Sequence, residues 1–248
     1  MTRRTLHAFA ASATATAVLF AAVAPAHAAT ALASGVPVTS NTSSAAYTIT
    51  TAQPYWSVVG VKPPSTADYD LVVDPGARSA AGGSTVDFVA VDTNVCAGLQ
   101  RTATVNRWSG SGSYTVEFAD QHEILTADSL PFPNTNPRIA TLFGPGVGPA
   151  THFIGIVDIW LRAGAVVELY AAQVGGNPGN VYVMAPNQSA CVRTPGQALV
   201  HGTVNQGSGH ALTLRFTPTI TGWYGVVQTS FGPNPQTGYS SLRIGQAP

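Results

Sequence analysis

The chain has 248 residues, of which only 9% are charged, with 11 basic and 11 acidic side chains and a formal net charge of zero. No row of cations is present to neutralise a phosphate backbone, which excludes nucleic acid as a partner. The size, less a leader, suits one large all-β domain or two small ones.

The N-terminus carries Arg3 and Arg4, an Ala-rich apolar stretch from Ala8 to Val23, and the small-x-small site Ala26-His27-Ala28. That is the layout of a secretory signal peptide over residues 1–28, cleaved after Ala28, so a secreted, extracellular protein is expected. Ser12, Thr14 and Thr16 within the stretch and Pro25 after it count against a permanent anchor, and no stable membrane insertion is expected after cleavage. The arginine pair hints at twin-arginine export, but Leu6-His7 fits that pattern poorly and Sec export is the default. The mature chain keeps nine basic and eleven acidic residues, a net charge near −2. Ten arginines against one lysine, Lys62, look like the codon usage of a GC-rich bacterium.

Residues 29–44 are uncharged Ala, Ser, Thr and Val without periodicity, and read as a flexible lead-in. A first β-sandwich is expected over 45–128, with strands at Ala46–Thr50, Trp56–Val61, Leu71–Val73, Val86–Val91 and Tyr114–Phe118, all short and rich in β-branched or aromatic residues. Gly and Pro clusters such as Asp74-Pro75-Gly76 and Ser109-Gly110-Ser111-Gly112 separate them. Pro131, Pro133 and Pro137 make 129–137 a semi-rigid linker. A second sandwich is expected over 138–248, with strands at Ile154–Leu161, Val166–Ala171, Val181–Met184, Ala198–Val204, Ala211–Phe216, Gly222–Thr229 and Ser241–Ile244. The fold class is therefore all-β, two tandem jelly-roll-like sandwiches after a signal peptide.

A weak internal repeat supports the two units. Gly112-Ser113-Tyr114-Thr115-Val116 returns as Gly222-Trp223-Tyr224-Gly225-Val226, and Asp70-Leu71-Val72-Val73 returns as Asn180-Val181-Tyr182-Val183, both at an offset of 110. Asp68-Tyr69-Asp70-Leu71 and Thr221-Gly222-Trp223-Tyr224-Gly225-Val226 resemble the pre-peptidase C-terminal domain, an accessory β-sandwich of secreted bacterial proteases. In that family an Asp-x-Asp-Leu run opens a central strand and a Thr-Gly-x-Tyr-x-Val run forms a late one. The resemblance implies tandem copies of a non-catalytic accessory domain, and calcium near the Asp-x-Asp in some members.

Splitting the mature chain at residue 130 gives nine acids and four bases in the first unit, net −5, and two acids and five bases in the second, net +3. Opposite signs favour docking of the units, alongside the alternative of chance scatter on solvated faces. Cys96 and Cys191, one in each unit, are expected to form a disulfide in an oxidising compartment. It would close a loop of about 95 residues and stabilise by about 4 to 5 kcal/mol through chain entropy. Two buried thiols are the alternative.

Asp68, Asp70 and Asp74 are the candidate metal ligands, because calcium takes several hard oxygen ligands and secreted domains meet it at millimolar concentration. Asp68 and Asp70 share a strand face, while Asp74 lies about 13 Å from Asp70 along an extended strand and joins only if the chain turns. Strand-end and turn aspartates are the plainer reading. Among His122, His152, His201 and His210 no metal-ligand spacing or nucleophile elbow occurs. Asp120 and Glu123 could form a glycosidase carboxylate pair only if folded to the required separation.

Trp56, Trp108, Trp160 and Trp223, with Tyr55, Tyr224 and Tyr239, could build a sugar-stacking platform or fill a core. Trp108, beside Arg107 in a Ser/Gly-rich stretch, has the best claim to exposure and to ligand binding. The function expected is a non-catalytic accessory or binding protein, with a polysaccharide, a cell-wall component or a secreted enzyme as its partner. A secreted hydrolase of carbohydrate or peptide and a structural envelope protein are the alternatives.

Overall fold

The computed structural model describes residues 28–51, 54–83, 85–95, 100–120, 123–131, 152–174, 179–186, 190–204, 211–230 and 239–248. The signal peptide apart from Ala28, the linker beyond Pro131, Cys96, His122 and His210 lie outside them. Among the described residues no helix is long and apolar enough to cross a membrane.

Up to residue 119 the strands are β1 (Thr30–Ala31), β2 (Val38–Ser40), β3 (Ser44–Thr50), β4 (Trp56–Lys62), β5 (Ala67–Val73), β6 (Ala77–Ser79), β7 (Asp87–Asp92), β8 (Gln100–Gly110) and β9 (Tyr114–Ala119). After them come β10 (Glu123–Leu125), β11 (Asp128–Ser129), β12 (Ile154–Leu161), β13 (Val167–Val174) and β14 (Gly179–Met184). The last are β15 (Val192–Arg193), β16 (Val200–Val204), β17 (Ala211–Phe216), β18 (Gly222–Ser230) and β19 (Tyr239–Gln246). A first outer sheet runs β1-β3-β8-β5-β6 and a first inner sheet β15-β7-β4-β9-β2. A second inner sheet runs β10-β12-β18-β14-β16 and a second outer sheet β11-β19-β13-β17. The chain is thus two stacked β-sandwiches.

Strand alternation explains each core. Tyr69, Leu71 and Val73 of β5 face Val59, Val61, Val89 and Val116 across the first sandwich. Val157, Ile159, Val181 and Val226 face Leu169, Ala171 and Ile244 across the second. Side chains of the opposite parity on the inner sheets are apolar too: Trp56, Val58, Phe88 and Ala90 pack against Ile154, Ile156, Tyr182, Met184 and Val227. The two inner sheets therefore share a third core, which is why β4, β7, β12 and β18 read as near-continuous apolar runs rather than alternating ones.

Trp56 is the pivot of this seam. It is fully buried, its indole N–H donates to the Trp223 carbonyl at 2.9 Å, and its backbone N–H donates to Asp158 at 3.0 Å. Gly225 makes room for it, since a Cβ there would lie 2.7 Å from the Trp56 ring. Gly60 does the same for the other unit, where a Cβ would lie 2.8 Å from Ile154. A further polar link crosses the seam: Glu117 of β9 accepts from the Phe153 amide at 2.9 Å and bonds His152 at 2.5 Å. That carboxylate holds the His152 pKa above its ordinary value. Docking of the units is thus mainly apolar, and the charge asymmetry enters through Arg193, which lies buried in the field of Asp92.

The inner sheets have the same topology, β2-β9-β4-β7 in the first matching β12-β18-β14-β16 in the second. β9 and β18 are equivalent, as the Gly-x-aromatic-x-Val match implies. The second match fails: β5 lies in an outer sheet and β14 in an inner one, so Asn180 is not the counterpart of Asp70. Two further differences concern boundaries. The lead-in contributes β1, parallel to β3, and β2, antiparallel to β9. Residues 123–128, expected to close the first unit, and Ser129, expected to open the linker, pair instead in the second, β10 with β12 and β11 with β19.

Cys191 is buried directly before β15, and its carbonyl accepts from the Asp92 amide at 2.6 Å. This sets Cys191 against the end of β7, four residues ahead of Cys96 in the chain. With a bond between them, intact mass without reductant should show no alkylatable thiol. Labelling of both cysteines would refute it.

Candidate functional site

Three carboxylates converge at the margin of the first sandwich. Asp68 and Asp70 come from β5 and Asp87 from the start of β7 in the opposite sheet, each offering an oxygen within 4.8 Å of the others. Asp74 is exposed and stands outside the group. Asp87 is fully buried; one of its oxygens accepts from Ser79 at 2.5 Å and from the Ala81 amide at 2.8 Å, and the other has no hydrogen-bond partner. One oxygen of Asp68 is likewise buried without a partner. Arg78 neutralises Asp70 at 2.6 Å, leaving two acids uncompensated. Burial raises the Asp87 pKa to about 6, opposed by the Ser79 and Ala81 bonds and helped by Asp70 and Asp68. Burial, then Asp70, raises that of Asp68. Carboxylates this close cannot all stay charged without a proton or a cation among them. An oxygen-only donor set of this kind suits a hard cation such as calcium.

The aromatic candidates separate cleanly. Trp56 and Tyr224 are fully buried core residues, Trp108 is 71% exposed and Trp160 48%. Tyr239 has no described side chain. Trp108 sits in strand β8, not in a loop: Asp68 pairs with Ser109 and Tyr69 with Arg107, so Trp108 is the extra residue of a β-bulge. Such a bulge re-aims a side chain, here outward. Arg107, half-buried, directly precedes the bulged Trp108 on β8 and donates its amide to the Ser43 carbonyl at 2.8 Å.

A second aromatic group lies where the units meet. Trp160 of β12 and Trp223 of β18 are direct cross-strand partners with ring centroids 5.5 Å apart, edge to face. Tyr55 from the first unit adds a third ring 4.5 Å from Trp223. Clefts of about 610 Å³ and about 310 Å³ flank this ridge, and both are lined by Trp160 and Trp223. The first is rimmed by Asp92, Asn94 and Thr221, the second by Asp128, Arg162 and Gln246. No short motif marks this ridge, because Trp160 and Trp223 are 63 residues apart and meet only through sheet register.

Both histidines among the described residues have partners. His152 is committed to Glu117, and His201 stacks on Tyr182 with centroids 5.8 Å apart. The side chain of Glu123 lies outside the described ones, so the Asp120 and Glu123 pair has no geometry.

No family model matches the chain, and no curated protein does. Among solved structures it is similar to the CUB1-EGF-CUB2 domains of human MASP-1/3, at 11% identity over 86% of this chain and 99% of that one, with a TM-score of 0.22. It is also similar to the CBM22-1-CBM22-2 tandem domain of Paenibacillus barcinonensis Xyn10C, at 10% identity over 81% and 82%, with a TM-score of 0.26. A third is the ANXUR1 extracellular domain of Arabidopsis thaliana, at 7% identity over 85% and 81%, with a TM-score of 0.25.

Proposed function

We propose that this chain is a secreted, non-catalytic binding module of the bacterial extracellular space. The observation that carries this reading is the cleft at the seam, whose floor is an exposed aromatic ridge rather than a nucleophile with its base. A binding protein needs a rigid surface with apolar contact area and a few polar anchors. Two sandwiches fused through a shared core provide that rigidity. The kinship with pre-peptidase C-terminal domains belongs to the same proposal, supported by the Thr221–Val226 run, whose residues from Gly222 on form the start of β18, an interior strand of its sheet. So does a calcium ion on Asp68, Asp70 and Asp87, supported by the unpartnered oxygens of Asp68 and Asp87.

The test is retention of the purified chain on insoluble cellulose, xylan, chitin and peptidoglycan. The expected result is retention on at least one of them with no soluble sugar released. Release of product by the protein alone would make it a hydrolase, and passage through all four would remove the reading.

A further inference from the structure

We propose that the cleft along the Trp160 and Trp223 ridge binds a neutral oligosaccharide, an inference that rests on the binding reading above and names its ligand. A pyranose ring has a flat C–H face and a rim of hydroxyls, so its site needs exposed aromatic faces bordered by hydrogen-bonding groups. The ridge supplies the faces. Trp160 is the one exposed position in β12, whose other residues are all buried, and its indole spreads apolar surface into water that a sugar face would cover.

The ridge is also pre-organised. The Trp223 backbone is held by the Trp56 indole at 2.9 Å, and Trp223 is paired in register with Trp160. Tyr55 sits at φ 85°, a left-handed conformation that a tyrosine rarely adopts, with its carbonyl fixed by the Thr93 amide at 2.7 Å and hydroxyl at 2.6 Å. Strain of this kind collects at binding sites, where the surroundings hold a side chain in place. Here it holds the ring of Tyr55 against Trp223, so little ordering remains for a ligand to bring about.

The rims select the ligand's charge and length. Asp128 is paired with Arg243 at 2.9 Å, and Asp92 lies in the field of Arg193. Arg162 on the second rim turns its guanidinium to the Gln246 side-chain oxygen at 3.4 Å and the Ala247 carbonyl at 2.8 Å. The rims therefore hold one lone cation among hydrogen-bonding groups rather than a row of like charges, and a neutral chain of hydroxyls is a better complement than a polyion. Because both clefts share the same two tryptophans, a ligand that fills them crosses the ridge, as several linked rings would and a single ring would not.

The experiment titrates the purified chain with cellohexaose, xylohexaose, chitohexaose, mannohexaose and laminarihexaose, read by tryptophan fluorescence and calorimetry. At least one should bind, and Trp160→Ala should weaken it about tenfold or more with its unfolding temperature retained, since the side chain lies at the surface. Val36→Ala, at an exposed position that lines neither cleft, should bind as the parent does. Binding of none of the five, or unchanged binding by Trp160→Ala, would overturn the site. So would a dimer in sedimentation that Trp160→Ala dissolves, which would assign the ridge to a second copy. Retention on an insoluble polysaccharide that survives Trp160→Ala would leave the general binding reading standing and remove this site, whereas no retention at all would remove both.

Discussion

Replacing Trp56 with alanine should lower the unfolding free energy by about 3 to 5 kcal/mol, the range for emptying a fully buried large aromatic site. Three losses combine there: the ring's contacts in the seam, the donor to the Trp223 carbonyl, and the filling of the space that Gly225 leaves open. Trp56→Phe should cost less, because it keeps most of the ring contacts and loses the N–H bond, a term of about 1 kcal/mol. Gly225→Ala should destabilise the parent, since its Cβ would meet rigid ring atoms at 2.7 Å. In the Trp56→Ala background the ring atoms are gone and only the residue 56 Cβ remains, at 3.1 Å, so the double variant should be more stable than the sum of the singles predicts. Urea unfolding measures all four. A parent-like midpoint for Trp56→Ala would show that the seam contributes nothing to holding the units.

Calcium should raise the unfolding temperature, and by more at about pH 8 than at about pH 5. The sign follows from Asp87. Its carboxyl keeps a proton up to about pH 6 in the folded chain, whereas in the unfolded chain it ionises near pH 4. Its contribution is therefore fully present below about pH 4 and is lost as pH rises through about 6, a change on the order of 3 kcal/mol. A cation between Asp87, Asp68 and Asp70 would replace the proton and restore the loss. Asp87→Asn, which carries no charge to compensate, should flatten both the pH dependence and the calcium response, while Asp74→Ala should keep both. His152 has the same sign, because Glu117 raises its pKa and that bond weakens as pH rises. Calcium does not act on it, so the loss that persists with calcium is its share. An unfolding temperature unmoved by calcium at pH 8, or an Asp87→Asn variant that still responds, would remove the proposed ion.

Strands were the legible part of this chain, because short β-branched runs between Gly and Pro clusters carry their own local signal. Asp68 and Asp70 could be paired by parity alone. Asp87 could not, since it opens an apolar run in the other sheet and reaches the group only once the sandwich closes. The same limit applies to Trp160 with Trp223 and to Glu117 with His152, contacts that depend on register and on docking of the units. The 110-residue offset shows how sequence likeness and structural equivalence part company. It finds β9 and β18 correctly, yet it also pairs β5 with β14, because apolar strands of similar length look alike when only four residues are compared. Trp108 owes its exposure to one inserted residue opposite Asp68 and Tyr69, a feature without a compositional mark.

The outermost strands have a consequence for solubility. Among the described residues, β1, β6, β15, β2, β10 and β11 occupy six of the eight sheet edges and are only two or three residues long. Proteins commonly guard exposed edges with lysine, and this one has a single lysine in 248 residues. Brevity takes over that role, since an edge of two residues offers too few unpaired backbone groups to template another chain. The segment around Val192 and Arg193 is thus a guard that the second half of the chain lends to the first. Lengthening any of these edge strands would be a direct route to aggregation.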